Sequence, residues 1–432
     1  MKVLIAGAAG YLGEHVVRAA REAGHEVVAY VRSATAQFPE GVRLIEGDLT
    51  DVSRLRSALT GVDAAIFSAG RNWQPGLPLE AYSRENVSIV EAFFEALKDT
   101  DPVTRVVFTS SMSAIGGSAQ PVVFTETTGR DAIAARRNAY DQAKIDCERL
   151  ARSARDRGRN VVILNPGFML GPSASAASKM TTSFLVHWFC LKKNPAIVGA
   201  GGHSFCDVRD VARAHVAALT NGAGQYIVAG ENLTSSGVQR LMSEQTGIGK
   251  PLEVPVAVAY GVSAVMDAVS AATLGHWRNP VHRQFARSLG LYYWADSSRA
   301  TQDLDYRTRP LAQTIRDTIS DFVERRLLPE DFRYVAAIDE RNRAAILLLR
   351  ELAQRNLHRS YLLPRLAAVL DAGRQNSDLN AALESALSAG HFDPKRGGFR
   401  WDAGRPDAAL EKLRNLLDYC YYASDQFRKK VT

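Results

Sequence analysis

Tyr140 and Lys144 stand four residues apart in Tyr140-Asp141-Gln142-Ala143-Lys144, a spacing that puts both side chains on one helix face about a turn apart. An ammonium beside a phenol favours the phenolate, so the pair suits proton exchange with an oxygen. Upstream, Gly7-Ala8-Ala9-Gly10-Tyr11-Leu12-Gly13 separates an apolar segment, Lys2–Ala6, from a segment of helical pattern. Glycines at these three positions let the backbone approach a pyrophosphate at the positive end of a helix. A dinucleotide loop followed by a proton-transferring pair is the order a nicotinamide-dependent carbonyl enzyme requires.

Cofactor choice can be read at the end of the second strand, where NAD enzymes commonly place an acid to hold the ribose hydroxyls. Tyr30-Val31-Arg32-Ser33 has no acid. Arg32 can pair with a 2′-phosphate and Ser33 can donate a hydrogen bond to it, which favours NADP(H). An arginine after a strand also occurs with no ligand at all, so NAD(H) stays open. Asp48-Leu49 follows the third strand, where the acid can accept from an adenine amino group or cap the next helix. Thr109-Ser110-Ser111 ends an apolar strand at the edge where parallel sheets bind ligands, and a hydroxyl there can hold a substrate carbonyl. The same residues serve ordinary strand-to-loop turns.

The elements that must position these groups are legible as alternating patterns. Strands are expected at Lys2–Ala6, Glu26–Val31, Val42–Glu46, Ala64–Ser68, Arg105–Thr109 and Asn160–Asn165, with helices at Glu14–Ala23, Val52–Leu59, Tyr82–Leu97 and Ala139–Arg157. Strand and helix in alternation predict an α/β fold with a doubly wound parallel sheet, the NAD(P)-binding Rossmann arrangement. Residues 1–165 are assigned mainly to that domain. After Pro166 the rhythm changes to loops, short strands such as Gln225–Val228, and helices at Ser235–Thr246, Val256–Ala272 and Leu311–Arg326. Residues 166–328 thus read as a smaller substrate-binding lid of the same unit, with room for a return to the sheet. Leu328-Pro329-Glu330-Asp331 marks a boundary, and 331–432 read as an almost wholly helical extension with turn signals at Gly373, Gly390 and Gly397-Gly398.

The chain has 432 residues, 46% hydrophobic and 23% charged, enough for a large globular domain plus an extension. Its net charge of +7 includes 17 Lys/Arg against 13 Asp/Glu in residues 331–432, without a dense basic run, so a solvated surface is expected and nucleic acid is not. Cys147, Cys190, Cys206 and Cys420 are too scattered for a metal knuckle or a disulfide framework, and the amino terminus enters a strand without a signal-peptide pattern. A reduced, cytoplasmic protein without a bound metal is expected. The most apolar stretch, Val254–Leu274, is interrupted by Asp267 and followed by His276 and Arg278, which predicts a buried or substrate-lining helix and no membrane span. With Phe184, Trp188, Phe189 and Trp277 it offers apolar walls for a pocket or for a lid core.

Taken together, residues 1–326 resemble the extended short-chain dehydrogenase/reductases. The likeness is greatest to the branch of dihydroflavonol reductases, hopanoid-associated epimerase-like proteins and 3β-hydroxysteroid dehydrogenases. It rests on the Gly7/Gly10/Gly13 spacing, Gly47-Asp48-Leu49, Glu85-Asn86-Val87, Val107 through Ser111, the Tyr140 and Lys144 pair, Asn165-Pro166-Gly167 ahead of Gly171-Pro172, and Asp207 through Ala212. The resemblance implies that Ser111, rather than Ser110, polarises the carbonyl and that Tyr140 is the general acid/base. Lys144 would also hold the nicotinamide ribose, with Tyr140 counted among the cofactor contacts. Pro166 and Gly167 would lie near the nicotinamide, and Ser68, Ala69 and Gly70 beside pyrophosphate and ribose. It also implies a homodimer through the helices at Tyr82–Leu97 and Ala139–Arg157.

Two positions depart from the pattern. Ser88-Ile89 stands where glycine and threonine are frequent, and Asn165 where arginine is frequent. Met112, Ser113 and Ala114 leave no acid beside Ser111 to support a dehydratase. The expectation is an NADP-dependent oxidoreductase acting on a ketone or secondary alcohol of a fairly apolar small molecule. An NAD-dependent nucleotide-sugar epimerase and a non-catalytic dinucleotide-sensing or scaffold protein are the alternatives. Residues 331–432 match no family pattern and are expected to pack on the same chain, extend a dimer contact or bind another protein.

Overall fold

The computed structural model describes residues 1–328, apart from 34–37, 71–78, 99–102, 104, 129–137, 174–182, 192–195, 247, 249–250 and 273–287, together with 390–393 and 398–401. The chain divides into two compact units. One comprises Met1–Trp188, Asn194–Gln239 and Pro251–Thr318, and the other Phe189–Lys193, Arg240–Lys250 and Ile319–Thr432.

In chain order the first elements are β1 (Lys2–Ala6), α1 (Tyr11–Glu22), β2 (Glu26–Val31), β3 (Arg43–Glu46), α2 (Val52–Leu59), β4 (Ala64–Phe67), α3 (Leu79–Ala96), β5 (Arg105–Thr109), α4 (Met112–Ile115), β6 (Val123–Phe124), α5 (Ala139–Asp156) and β7 (Val161–Pro166). They continue as β8 (Phe168–Leu170), α6 (Phe184–Cys190), β9 (Ala196–Val198), β10 (Gly202–Asp207), α7 (Val208–Ala217), β11 (Gln225–Val228), β12 (Glu231–Thr234), α8 (Ser235–Thr246), β13 (Leu252–Val254), α9 (Val256–Ala272) and β14 (Tyr292–Ala295), then helices Ser298–Leu304 and Leu311–Glu324.

The first unit is organised by a seven-stranded sheet in the order β11-β7-β5-β4-β1-β2-β3, parallel at every pairing. Its strands are near-continuous apolar runs because helices cover both faces. Successive residues of β1 show the two-residue period: Val3 and Ile5 join a core with Val16, Val17 and Val211, whereas Leu4 and Ala6 join one with Leu59, Phe93 and Ala151. The chain runs outward from β1 in opposite directions, to β2 and β3 on one side and to β4, β5, β7 and β11 on the other, which opens a crevice beyond the carboxyl ends of β1 and β4. A second sheet, β12-β10-β14-β6 with β8 also on β10, takes all its strands from beyond β7 in the chain except β6, which comes before it. Gln225–Val228, expected among the lid strands, returns to the main sheet beside β7.

Three expectations change. Helix α1 begins at Tyr11 and not at Glu14, because Gly10 takes the extended N-cap conformation immediately before it. Helix α9 is not buried: Val258, Val262, Val265 and Val269 are each about half exposed or more, while Ser263 is buried. A helix of small apolar residues all round carries no periodic cue to the face that packs. In the second unit, the extension expected to be almost wholly helical contains the antiparallel pair β15 (Gly390–Asp393) and β16 (Gly398–Trp401), which aligns Phe392 with Phe399. The glycines read only as helix breaks bracket segments of alternating character, a strand signal too short to register beside helical neighbours. The rest of the extension, where apolar periodicity through Ala344–Leu352, Tyr361–Leu370, Leu379–Leu387 and Ala408–Tyr422 is the basis of the helical expectation, lies outside the described residues. Among those described, no helix is long and apolar enough to cross a membrane.

Candidate active site

The glycine loop lies in the crevice. Gly7 has φ +84°, and a Cβ on it would sit 2.7 Å from the Ala69 backbone; one on Gly13 would sit 2.1 Å from the Gly7 carbonyl oxygen. These positions exclude side chains, so the loops after β1 and β4 touch and α1 starts hard against the turn. The first helical amide bond runs from Glu14 N–H to the Gly10 carbonyl, which leaves the amides of Tyr11, Leu12 and Gly13 at the positive helix end. Side chains contribute differently. Leu12 is in the core, and Tyr11 Oη donates to the Gly171 carbonyl at 2.9 Å with Ser183 Oγ also at 2.9 Å. Backbone, not these two side chains, is what this loop offers to a pyrophosphate, and the cradle fits one.

At the end of β2, Arg32 and Ser33 are both exposed. Asp48 accepts from the Thr50 amide and hydroxyl at 2.8 and 2.7 Å, and these bonds hold its carboxylate below the usual range, with Arg32 adding to the effect. The cap of α2 is Asp51, which accepts from Arg54 N–H at 2.9 Å. Asp48 therefore does not cap the helix. Its neighbour Leu49 packs against the core formed with α2 and α3.

After β4, Ser68 Oγ donates to the Ala6 carbonyl at 3.1 Å, and the chain passes through Ala69 to Gly70. A Cβ on Gly70 would lie 3.5 Å from both Lys144 Nζ and Asn86 Oδ1, so the groove beside this loop ends at the lysine. Gly167, after β7, cannot carry a side chain either, since its Cβ would fall 2.3 Å from the Ser204 carbonyl oxygen. Pro166 is buried and aligned with Val228.

Helix α5 presents Tyr140 and Lys144. Asn138 caps it in a reciprocal box with Asp141, which fixes the first turn where Tyr140 sits. Lys144 Nζ is 5.8 Å from the Tyr140 ring centre. Tyr82 of α3 stacks on Tyr140 with centroids 6.5 Å apart.

The three hydroxyls at the end of β5 have three different fates. Thr109 Oγ1 meets His215 Nε2 at 2.8 Å, Ser110 Oγ donates to the buried Glu148 at 2.6 Å, and Ser111 Oγ lies 3.5 Å from Tyr140 Oη. Only Ser111 shares a space with Tyr140. That separation leaves both groups able to donate to one substrate oxygen lying between them. Ser111 also caps the short α4, its Oγ accepting from Ser113 N–H at 3.2 Å. Met112 and Ala114 are buried, so the residues following Ser111 bring no acid to the site.

Glu148 and an aromatic ladder that sequence patterns did not single out complete the surroundings, together with Asp207 of the Asp207 through Ala212 motif. Glu148, one turn beyond Lys144, is paired with Arg152 at 2.9 Å and is 1% exposed. Asp207 is buried with Arg209, Arg309 and Thr314 around its carboxylate at 2.7, 3.2 and 2.9 Å. On β8, β10 and β14, Phe168, His203 and Tyr293 form a ladder of rings 5.1 to 5.2 Å apart, and burial pushes the His203 imidazole down to about 4. Of the expected pocket walls, Trp188 is exposed and Phe189 is buried in the other unit. Trp277 and the Phe184 side chain lie outside the described residues.

Residues 3–230 match the model of the NAD dependent epimerase/dehydratase family. The chain is 28% identical over 335 residues to a putative dihydroflavonol 4-reductase of Synechocystis sp., spanning 74% of this chain and 93% of that one. It is 27% identical to sterol demethylase protein B of Methylococcus capsulatus over 76% of this chain and all of that one. Among solved structures, gox2253 superposes with a TM-score of 0.64 at 26% identity, covering 76% of this chain and 99% of that one. The dinucleotide crevice, the Tyr140 and Lys144 pair and these likenesses agree: the chain belongs to the NAD-dependent epimerase/dehydratase family of extended short-chain dehydrogenase/reductases, enzymes that work with a nicotinamide dinucleotide.

Proposed function

We propose that this enzyme is an NADP(H)-dependent reductase of a ketone on a fairly apolar small molecule, or the reverse dehydrogenase. Residues 1–165 would hold the dinucleotide and 166–328 the substrate. The observation that carries the reading is the convergence of Ser111 and Tyr140, hydroxyl oxygens 3.5 Å apart, with Lys144 beside the same ring. When bound, the nicotinamide supplies the hydride. The residues of the chain manage the oxygen: Ser111 Oγ donates a hydrogen bond to the carbonyl oxygen, and Tyr140 delivers the proton as that oxygen becomes an alkoxide. Lys144 faces the charge that develops on the Tyr140 oxygen. The lack of an acid directly after Ser111 supports redox chemistry over elimination, and relatives named for a dihydroflavonol and a sterol support an apolar substrate.

NADP(H) is favoured over NAD(H) by the exposed Arg32 and the missing acid at the end of β2. The epimerase reading stays within the same family and predicts tightly retained NAD. A homodimer through α3 and α5, a cytoplasmic location and a docking role for residues 331–432 belong to the same proposal. Among the described residues Cys147, Cys190 and Cys206 are free thiols and buried, which supports a reducing compartment. A monomer in light scattering would remove the dimer.

The test follows NADPH and NADH consumption on a panel of ketones by wild type, Tyr140→Phe, Lys144→Ala and Arg32→Ala. Tyr140→Phe and Lys144→Ala should each lose at least about 100-fold in kcat, the scale of general acid catalysis. Arg32→Ala should weaken NADPH and spare NADH. Turnover near wild type in both active-site variants would sink the reductase, and unchanged NADPH affinity in Arg32→Ala would sink the cofactor assignment.

A further inference from the structure

Resting on the reading of Ser111 as the carbonyl-binding hydroxyl, we propose that Glu148 is a positioning residue that holds Ser111 through Asn165 and Ser110. Asn165 Nδ2 spends its two hydrogens on Glu148 Oε2 at 2.7 Å and on the Ser111 carbonyl at 2.9 Å. Its Oδ1 accepts from Gln225 Nε2 at 2.7 Å. The amide can point only one way, because a carboxylate and a carbonyl accept and cannot donate. The preceding residue is tied to the same carboxylate through Ser110 Oγ at 2.6 Å, and its amide donates to the Leu164 carbonyl at 2.7 Å. Glu148 is itself held by Arg152 Nε at 2.9 Å and Gln225 Nε2 at 3.2 Å, and Arg152 also donates to Gln225.

The consequence lies in the spacing of α5. Tyr140, Lys144 and Glu148 follow one another at single-turn intervals on the helix. The first two bring their side chains to the reacting oxygen, and the third reaches under β5 and β7 to fix the serine opposite. One rigid helix thereby sets both hydroxyls between which the oxygen must sit, and errors of about 1 Å in such an arrangement cost up to about 100-fold in rate. Asn165 and Glu148 are 0% and 1% exposed, so neither reaches substrate, and the cation that pairs with the Glu148 carboxylate, Arg152, comes from α5 itself.

The experiment uses the full chain with Glu148→Gln, which keeps the shape and removes the charge, and Asn165→Ala, which keeps the Arg152 pair. Hydrogen–deuterium exchange of the peptide spanning residues 109–117 reports on Ser111 directly, because the Ser113, Ala114 and Gly116 amides bond to the Ser111 side chain, the Ser111 carbonyl and the Met112 carbonyl. Both variants should exchange faster there, with kcat for ketone reduction down by about 10-fold to 100-fold and KM for NADPH within about twofold of wild type. Unchanged exchange in the folded variants overturns the proposal. So does an unchanged kcat, or a kcat loss matched by an equal loss of NADPH binding, which a general loosening of the fold would produce. Should wild type reduce no ketone with either nucleotide, the reductase reading fails by itself, and the exchange rates alone decide whether Glu148 holds Ser111.

Discussion

Acid should weaken this fold in a measurable way through one histidine. His215 of α7 is fully buried, with Nδ1 2.8 Å from the Val211 carbonyl and Nε2 2.8 Å from Thr109 Oγ1. A carbonyl only accepts, so Nδ1 carries the hydrogen, and Nε2 accepts from the threonine. The structure thus holds the neutral ring, and burial pushes its pKa from about 6.5 down to about 4. The unfolded chain takes up the proton first as pH falls. The neutral ring's contribution is therefore whole above pH 6.5 and drains away between there and about 4, where the folded form also protonates. With 1.36 kcal/mol per pKa unit, the loss relative to pH 8 is about 1.4 kcal/mol at pH 5.5 and about 2.5 kcal/mol at pH 4.5. Other groups titrate in the same range, so the measurement is a difference. Urea unfolding of wild type and His215→Gln is followed from pH 8 to 4.5, glutamine keeping a donor and an acceptor without a proton to gain. Normalised at pH 8, the variant should lose about 2.5 kcal/mol less by pH 4.5. Curves that run parallel within about 0.5 kcal/mol would refute the assignment of a desolvated neutral imidazole. Because Thr109 is two residues from Ser111, the same titration should loosen the end of β5.

Two further predictions concern groups around the crevice. The Tyr82 hydroxyl is fully buried with no hydrogen-bond partner among the described residues, so Tyr82→Phe should raise stability by about 1 to 2 kcal/mol, read as a higher Tm with kcat within about twofold. A lower Tm or a collapse in kcat would mean that the hydroxyl finds a partner in the working enzyme. Gly13→Ala places a methyl 2.1 Å from the Gly7 carbonyl oxygen and should weaken NADPH binding at least about tenfold; an unchanged Kd by fluorescence titration contradicts the close-approach argument.

Much of the architecture was legible because it is written in local stereochemistry. Lys2–Ala6, Glu26–Val31 and Arg105–Thr109 are strands with the expected bounds, as continuous apolar runs between turn residues must be in a parallel sheet covered on both faces. Tyr140 and Lys144 share a helix face because 3.6 residues make a turn, whatever the rest of the chain does. The start of α1 was misplaced by three residues because a glycine N-cap leaves no side-chain signal. The helical reading of the last hundred residues missed β15 and β16, whose four-residue strands are shorter than the window in which periodicity can be counted.

Residue types and their spacing were enough to mark the glycine loop between β1 and α1, the Tyr140 and Lys144 pair on one helix face and the sheet that joins them, since each depends on neighbours within a few positions. The local pattern of Thr109, Ser110 and Ser111 does not say which hydroxyl faces Tyr140; the family resemblance implied Ser111, and the tertiary contacts supply the physical reason. The partners of the three hydroxyls lie 106, 38 and 29 residues away, and successive side chains of a strand differ only in which face they meet. Tertiary structure alone decided that Glu148 and Asn165 lie under the serine, that Asp51 and not Asp48 caps α2, and that α9 turns its valines outward. Each is a choice among chemically equivalent options, settled by what distant parts of the chain bring into contact.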